Sequence, residues 1–312
     1  MKSLHLYFYR FFIAVSCLLA LAKTSSAQTD ADALMIPKNF FCAGVIYGHS
    51  SWTDYWEGTF KRDNGNIGKL TANMYTAVGN YGIANKLDVL FTVPYVTTNA
   101  SAGTLKGQSG IQDLTVTLKW LAVQTQIGRG IFSVHAMLSG STPLSNYEPN
   151  FLPVSIGLHS TTVGLRGLVN YQAGRFFIAG AAQYIQRSDI TIDQPAYYTT
   201  HLINSNRVYM PNVNNILFST GYRSPRLNVE AIFSQTTTLG GFDIRKNDMP
   251  FPSNTMNWTT AGGLVKYSFD NVSGLELTAG GNYVLKGRNV GQATTLFGGV
   301  LYVFDFSRKH IK

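Results

Sequence analysis

The stretch DLTVTLKW, residues 113–120, puts Asp113, Thr115, Thr117 and Lys119 on one side of an extended chain and Leu114, Val116, Leu118 and Trp120 on the other. A period of two is a strand signal, and it calls for different surroundings on the two faces. The pattern recurs with Leu87, Val89, Phe91, Val93 and Tyr95, with Leu227, Val229, Ala231 and Phe233, and with Leu275, Leu277, Ala279, Tyr283 and Leu285. Their polar partners are Asp88, Thr92, Asn228, Glu230, Ser234, Glu276, Thr278, Asn282 and Lys286. No internal segment sustains a helical stripe, and no run of about 18 apolar residues follows residue 30, so a multi-helix membrane protein is excluded.

Strand-type segments are expected at 40–50, 69–81, 86–98, 110–122, 131–141, 155–171, 175–188, 211–222, 226–238, 255–269, 275–286 and 293–306. The joints between them alternate long and short, with GIANK, QAG and RSPR among the short ones and 142–154, 189–210 and 239–254 among the long. The fold class expected is therefore all-β: one transmembrane antiparallel β-barrel of about 12 strands, with short periplasmic turns and long extracellular loops. Closure removes the sheet edges, whose unpaired amides are costly in lipid. A soluble sandwich offers similar alternation, but its apolar faces need a second sheet, and 13% charged residues is low for a soluble domain of this length. Tyr95, Trp120, Tyr171, Tyr184, Tyr222, Trp258, Tyr267, Tyr283 and Phe306 sit near strand ends, as interfacial girdles require. Pro94 lacks a ladder donor, so a bulge or break is expected beside it.

The ends suggest a route. Lys2 and Arg10 flank FFIAVSCLLALA, and Ser25 and Ala27 form a small-x-small site ahead of Gln28. The expected organisation is a signal peptide over 1–27, a short N-terminal periplasmic segment over 28–39, an outer-membrane barrel over 40–306 and a tail over 307–312. A lipid anchor at Cys17 is the alternative, with Ala-Val-Ser-Cys a poor match. Loss of Lys2, Arg10 and Lys23 takes the formal charge from +9 to +6, and Cys42 then stands alone without an internal disulfide partner. No basic cluster concentrates that charge, so nucleic acid is not an expected partner. The expected location is the outer membrane of a Gram-negative bacterium.

On these face assignments the lumen carries Asp88, Asp113, Glu230, Glu276 and Asp305 against Lys119, Arg166, Arg187, Lys266 and Lys286. Such balance argues against strong ion selectivity. Asp88, Lys119, Arg166, Glu230, Lys266, Glu276 and Asp305 fall toward the inner end as a candidate network narrowing the exit, while Asp113, Arg187 and Lys286 fall toward the outer end. Ordinary lumen residues satisfying one another is the plainer reading. Leu90, Met137, Ile185, Ile232, Phe297 and Leu301 are the candidate substrate path, with Val96, Leu168 and Val303 also inward. A wide aqueous pore has little use for them, and twelve strands lie between a filled barrel and an open porin. The long loops supply Trp52, Tyr55, Trp56, Tyr197, Tyr198 and Tyr209, flat surfaces for collecting a ligand or for packing loop on loop.

Catalytic signals are weak. There is no H-E-x-x-H and no close metal-type spacing, so no cofactor, metal or catalytic residue is expected. Ser133 with His135, and His159 with Ser160, are fragments of a nucleophile site at most. AGG at 261–263, AGG at 279–281 and FGG at 297–299 lie in strands, where a phosphate loop needs a following helix.

Residues 80–120 hold a tight turn, a strand ending in Pro94-Tyr95, a loop, and a Gly110-x-x-Asp113 strand start; with Gly82 and Leu87 this resembles the outer-membrane barrels of the MetA-pathway of phenol degradation family. The resemblance implies an outer-membrane barrel handling aromatic or other hydrophobic compounds, and it brings no catalytic residues. The last strand reaches Phe306 and is followed by SRKHIK, which departs from a terminal aromatic. The function expected is passive uptake of small hydrophobic or aromatic compounds, with outer-membrane lipid and the solute as partners and no assigned oligomeric state. The alternatives are a structural or adhesive barrel with a blocked lumen and, third, a barrel hydrolase.

Overall fold

A computed structural model describes residue 29, residues 31–246 and residues 248–307. The expected signal segment 1–27, and the tail 307–312 apart from Ser307, lie outside the described residues. Twelve long strands make the wall: β1 (Phe40–Trp52), β2 (Leu70–Ala84), β3 (Leu87–Ala100), β4 (Asp113–Ile127), β5 (Gly130–Pro143), β6 (Thr162–Ala173), β7 (Phe176–Arg187), β8 (Asn212–Arg223), β9 (Leu227–Leu239), β10 (Asn257–Ser268), β11 (Leu275–Arg288) and β12 (Thr294–Asp305). Each pairs antiparallel with its sequence neighbour, and β1 pairs with β12 from Phe40↔Asp305 to Ser51↔Thr294, so the sheet closes into a barrel.

Turns at 85–86, 128–129, 174–175, 224–226 and 269–274 gather at one end together with the start of β1 and the end of β12. Gly128 (φ 58°) and Gly174 (φ 60°) adopt the left-handed conformation that the two tightest glycine turns need. The opposite end carries the loops 53–69, 144–161, 188–211 and 240–256 and the shorter 101–108 and 289–293.

The two faces separate as the alternation requires. Val116, Leu118 and Trp120 are exposed on the outer wall, while Thr117 and Lys119 between them are buried. Val45, Leu165, Phe218, Leu296 and Val300 continue the exposed apolar surface around the barrel, Leu165 at 63%. A soluble barrel would not present so continuous an apolar exterior.

Local irregularities account for the differences from the sequence expectation. Beside Pro94, β4 breaks at Gln112, whose amide donates to Pro94 O at 2.8 Å, and Ser109–Ile111 resumes the pairing with β3. Strand β6 begins at Thr162 rather than near 155, because 144–161 folds as a loop across the mouth. Arg166 consequently lies in the long-loop half of the wall, not toward the short-turn end. Strand β11 carries an extra residue at Leu285, where the pairing jumps from Thr260↔Val284 to Thr259↔Lys286. One inserted residue reverses every side chain beyond it. Lys286 therefore shares the outer face with Thr259 and is exposed, a correction to its expected place in the lumen. Trp258, on the same face as Thr260 and Ser234, points inward instead of joining an outer girdle.

These faces give the first testable outcome. Val300→Arg, at mid-height on the outer wall, is expected to destabilise the folded barrel in lipid vesicles by about 2–4 kcal/mol, whereas Lys286→Leu near the rim changes stability by less than about 1 kcal/mol. Urea titration followed by heat-modifiable gel migration measures both. Equal effects at the two positions would contradict the assigned faces.

Candidate functional site: the barrel bore

Most of the described residues ahead of β1 lie inside the barrel. Residues 28–39, expected as a periplasmic segment, enter the bore over the part that is described. Asp32 is the anchor: Lys119 Nζ donates to its Oδ1 at 3.2 Å and to its main-chain oxygen at 2.7 Å, and Lys266 Nζ donates to Oδ2 at 3.1 Å. The amides of Thr29 and Leu34 also donate to the Asp32 carboxylate, at 2.8 and 3.0 Å. The Lys119 and Lys266 side chains are 0% and 2% exposed and that of Asp32 2%. Further along, the Ile36 amide donates to Asp88 Oδ2 at 3.0 Å. Burial works to raise the Asp32 pKa, but the two ammonium groups and the Thr29 amide outweigh it and hold the carboxyl well below the usual carboxylate range.

Apolar contacts complete the plug. Ala31 and Ala33 pack on a cluster of Met137, Leu168, Ala181 and Leu217, with Ile232 beside it. Ile36 is fully buried among Phe40, Cys42, Leu301 and Val303. Met137 and Leu301, picked out as parts of a substrate path, are therefore seats of the N-terminal segment, and Ile232 packs on the same cluster as Met137. Leu90 is buried, and Phe297 packs against Gly280, where a Cβ would come within 2.6 Å of its ring.

The proposed inner network divides into separate arrangements. Lys119 and Lys266 meet at Asp32, a residue that sequence reasoning left in the periplasm. Glu230 accepts from Asn228 Nδ2 at 2.7 Å and Arg223 Nη2 at 3.4 Å, and Arg223 sits 4.0 Å over the Phe177 ring. Glu276 accepts from Ser268 Oγ at 3.0 Å. Arg166 donates through Nε and Nη2 to Gln183 Oε1 at 3.1 and 2.6 Å. Asp305, at the strand end, accepts the Ser307 amide at 2.8 Å and is not part of the Asp32 cluster.

Above the plug the bore opens into a cavity of about 260 Å3, lined by the hydroxyls of Thr115, Thr117, Ser139 and Ser141 and by Met137, Arg166, Gln183 and Ile185. A second, of about 230 Å3, lies between Trp52, Met74, Val96 and the loop residues Pro153, Ser155 and Ile156. That loop is tied to the wall by Tyr147, whose hydroxyl donates to Asp113 Oδ1 at 2.6 Å and accepts the His159 amide at 2.9 Å. Trp52 and Trp56 close over the glycines of β11 and its loop: a Cβ on Gly291 would meet the Trp52 ring and one on Gly287 the Trp56 ring. Asn289 ties its own loop to two others, accepting from the Gly58 and Ile244 amides at 2.7 and 3.1 Å and donating to Asp243 at 2.7 Å. Nothing in GRNVGQ signalled that role. Tyr197 and Tyr198 line a separate cavity among the loops, and Tyr209 is exposed.

The nucleophile fragments do not assemble further. Ser133 Oγ is 3.3 Å from His135 Nε2, both are buried, and His135 Nδ1 has no partner among the described residues, so no acid orients the ring. Ser160 Oγ donates to Ser188 O at 2.6 Å, while the His159 ring packs edge-on against Tyr147. No group of three or more His, Cys, Asp or Glu among the described residues is placed to hold a metal.

No protein-family profile matches the chain, and no curated sequence matches it significantly. Among solved structures it is similar to the COG4313 outer membrane channel from Pseudomonas putida F1, with a TM-score of 0.68 and 18% identity over 90% of this chain and 100% of that one. The fold is thus that of an outer-membrane barrel. Weaker likenesses, to the NanC porin (TM-score 0.47, 9% identity, 83% of this chain and 98% of that) and to a TodX monoaromatic hydrocarbon channel mutant (0.45, 9%, 86% and 91%), add nothing to that conclusion.

Asp32→Asn is expected to loosen the plug, because two buried ammonium groups then share a neutral amide; removing one partner from a buried pair costs about 3–5 kcal/mol. With cysteine placed at Ala33, thiol labelling should speed up at least tenfold (~1.4 kcal/mol). Because the folded pKa is lowered, the Asp32 contribution is complete above the ordinary carboxylate value of about 4 and is lost only as pH falls through the lower folded value. Taken as the ratio of labelling rates in the Asp32→Asn and Asp32 backgrounds, which cancels thiolate content and every other titrating group of the bore, that contribution should stay constant from about pH 8 to 5.

Proposed function

We propose that this protein is an outer-membrane channel for passive uptake of small hydrophobic or aromatic compounds, exported by a cleaved signal peptide, with the short turns in the periplasm and the long loops outside. The observation that carries the reading is the bore itself. A closed wall with an apolar exterior surrounds cavities lined by hydroxyls together with Met137, Ile185, Met74 and Val96. Such mixed walls suit a solute with an apolar body and few polar groups better than a hydrated ion. The likeness to an outer membrane channel supports the reading at the level of fold.

In this conformation the N-terminal segment closes the short-turn end, so passage along the axis requires it to move. Its attachment is non-covalent throughout, which makes it displaceable. The same plug favours the second reading, a structural barrel with a blocked lumen.

Uptake of 4-hydroxybenzoate into vesicles separates the two, since its charge keeps leakage through lipid low. Vesicles holding the protein are expected to fill faster than empty ones, deletion of residues 29–38 should raise the rate several-fold, and Ile185→Asp with Met74→Asp, which put charge into the two cavities, should lower it. If both the intact and the shortened barrel, shown to be folded, fill no faster than empty vesicles, transport is rejected and the blocked barrel stands.

A further inference from the structure

Four loops at the long-loop end, 101–108, 144–161, 188–211 and 240–256, enclose a cavity of about 330 Å3 that shares no lining residue with those of the bore. Its size falls at the lower end of small-molecule sites, room for one or two rings. Its floor is aromatic. Tyr197 stacks on Phe251 with ring centroids 5.3 Å apart and planes 18° apart, and Phe242 lies 6.2 Å from Phe251.

These rings are held firmly. Tyr197 and Phe251 rest on a buried group of Ile190, Ile192, Val208 and Met210. Asn254, 2% exposed, accepts the Phe251 amide at 2.6 Å and donates to Phe242 O at 3.0 Å, locking the loop backbone under the cavity. A floor fixed in advance spares a ligand the entropy of ordering it.

The rim carries one polar couple of defined chemistry. Arg245 lies 3.8 Å over the Tyr198 ring and donates through Nε and Nη2 to Asp248 Oδ2 at 3.1 and 2.8 Å. Both side chains are 49% exposed, and Arg245 Nη1 and Asp248 Oδ1 have no partner among the described residues. The pair thus presents a donor beside an acceptor with no net charge. Asn150 and Gln194, whose amides likewise offer both, also line the cavity. A hydroxyl group is the complement, because it donates and accepts at once. A bare carboxylate would meet the Asp248 charge, and an unsubstituted hydrocarbon ring would leave the couple desolvated without a partner.

We infer that this cavity is a binding site for a small ring compound with an apolar face and hydroxyls on its edge, the face stacked on Tyr197 and Phe251 and a hydroxyl bridging Arg245 Nη1 and Asp248 Oδ1. Two kinds of molecule have that chemistry, a hydroxylated aromatic ring and a pyranose sugar. The site is separate from the bore and stands whether or not the bore conducts.

Calorimetry on the full protein in detergent tests it with catechol and methyl β-glucoside as probes and the fully O-methylated form of each as control. The Arg245→Ala/Asp248→Ala double variant, checked for intact strand content by circular dichroism, sets the background from partition into micelles. At least one hydroxylated probe is expected to bind the wild type at least tenfold more tightly than the double variant or Phe251→Ala, and its methylated form to bind at the background level. Which probe binds identifies the source. If neither exceeds the background, or if methylation leaves affinity unchanged, the inference is overturned. Vesicle uptake is unaffected by that failure, since none of these residues lines the bore.

Discussion

Main-chain closure governs the rest of this structure. A strand whose amides face hydrocarbon without partners costs several kcal/mol per group, so the ladder joining Phe40–Ser51 to Thr294–Asp305 is obligatory. An even number of strands then puts the start of β1 and the end of β12 at the short-turn end. The consequence reaches past the wall: the residues preceding Phe40 emerge at the rim of the bore, where Asn39 N donates back to Gly82 O at 2.9 Å and steers the chain inward.

What receives that segment follows from barrel size. Eight strands are filled by their own side chains and sixteen or more leave a water channel; twelve leave a bore too wide to fill and too narrow to stay fully wet. Inward Lys119 and Lys266 sit in that intermediate space and need an anion. Carboxylates on the wall stand near them: Asp88 lies opposite Lys119 in the ladder and accepts the Ile36 amide, and Glu230 accepts from Asn228 and Arg223. Asp32, on the segment that precedes β1, reaches both ammonium groups at once. Buried pairs of this kind add little to stability when intact, yet they specify geometry because breaking them is expensive.

The wall was legible in the sequence because alternation and joint length are local properties, each tied to one surface or one end. DLTVTLKW reads correctly from its own eight residues. Lys286 did not, since a single inserted residue at Leu285 shifts the face without altering composition or spacing in any recognisable way. Arg166 was misplaced in depth because VSIGLHSTT continues a strand-like alternation, while Tyr147, bonded to Asp113 and to the His159 amide, holds that stretch as a loop. The contents of the bore were illegible for a different reason. ADALMIP has no strand or helix signature, and beyond the local hold of Asp32 on the Thr29 and Leu34 amides its place is set by partners such as Lys119 and Lys266, the latter 234 residues away along the chain.

The same contacts set the scale of any opening. Releasing Asp32 takes the bridging carboxylate away from two buried ammonium groups, of order 3–5 kcal/mol, and freeing Ile36 from its pocket forfeits about 1.5–3 kcal/mol of burial. Water and lost ordering return part of this. A plug favoured by about 2.7 kcal/mol is open in roughly 1% of molecules, and inverting that ratio takes about 5.5 kcal/mol of differential binding. A solute that merely occupies the hydroxyl-lined cavity, touching plug and wall alike, shifts nothing however tightly it binds. Only one that competes for the Met137–Leu168–Leu217 surface used by Ala31 and Ala33 favours the open state, which is why an apolar body, more than any polar group, is the property that would couple solute to passage.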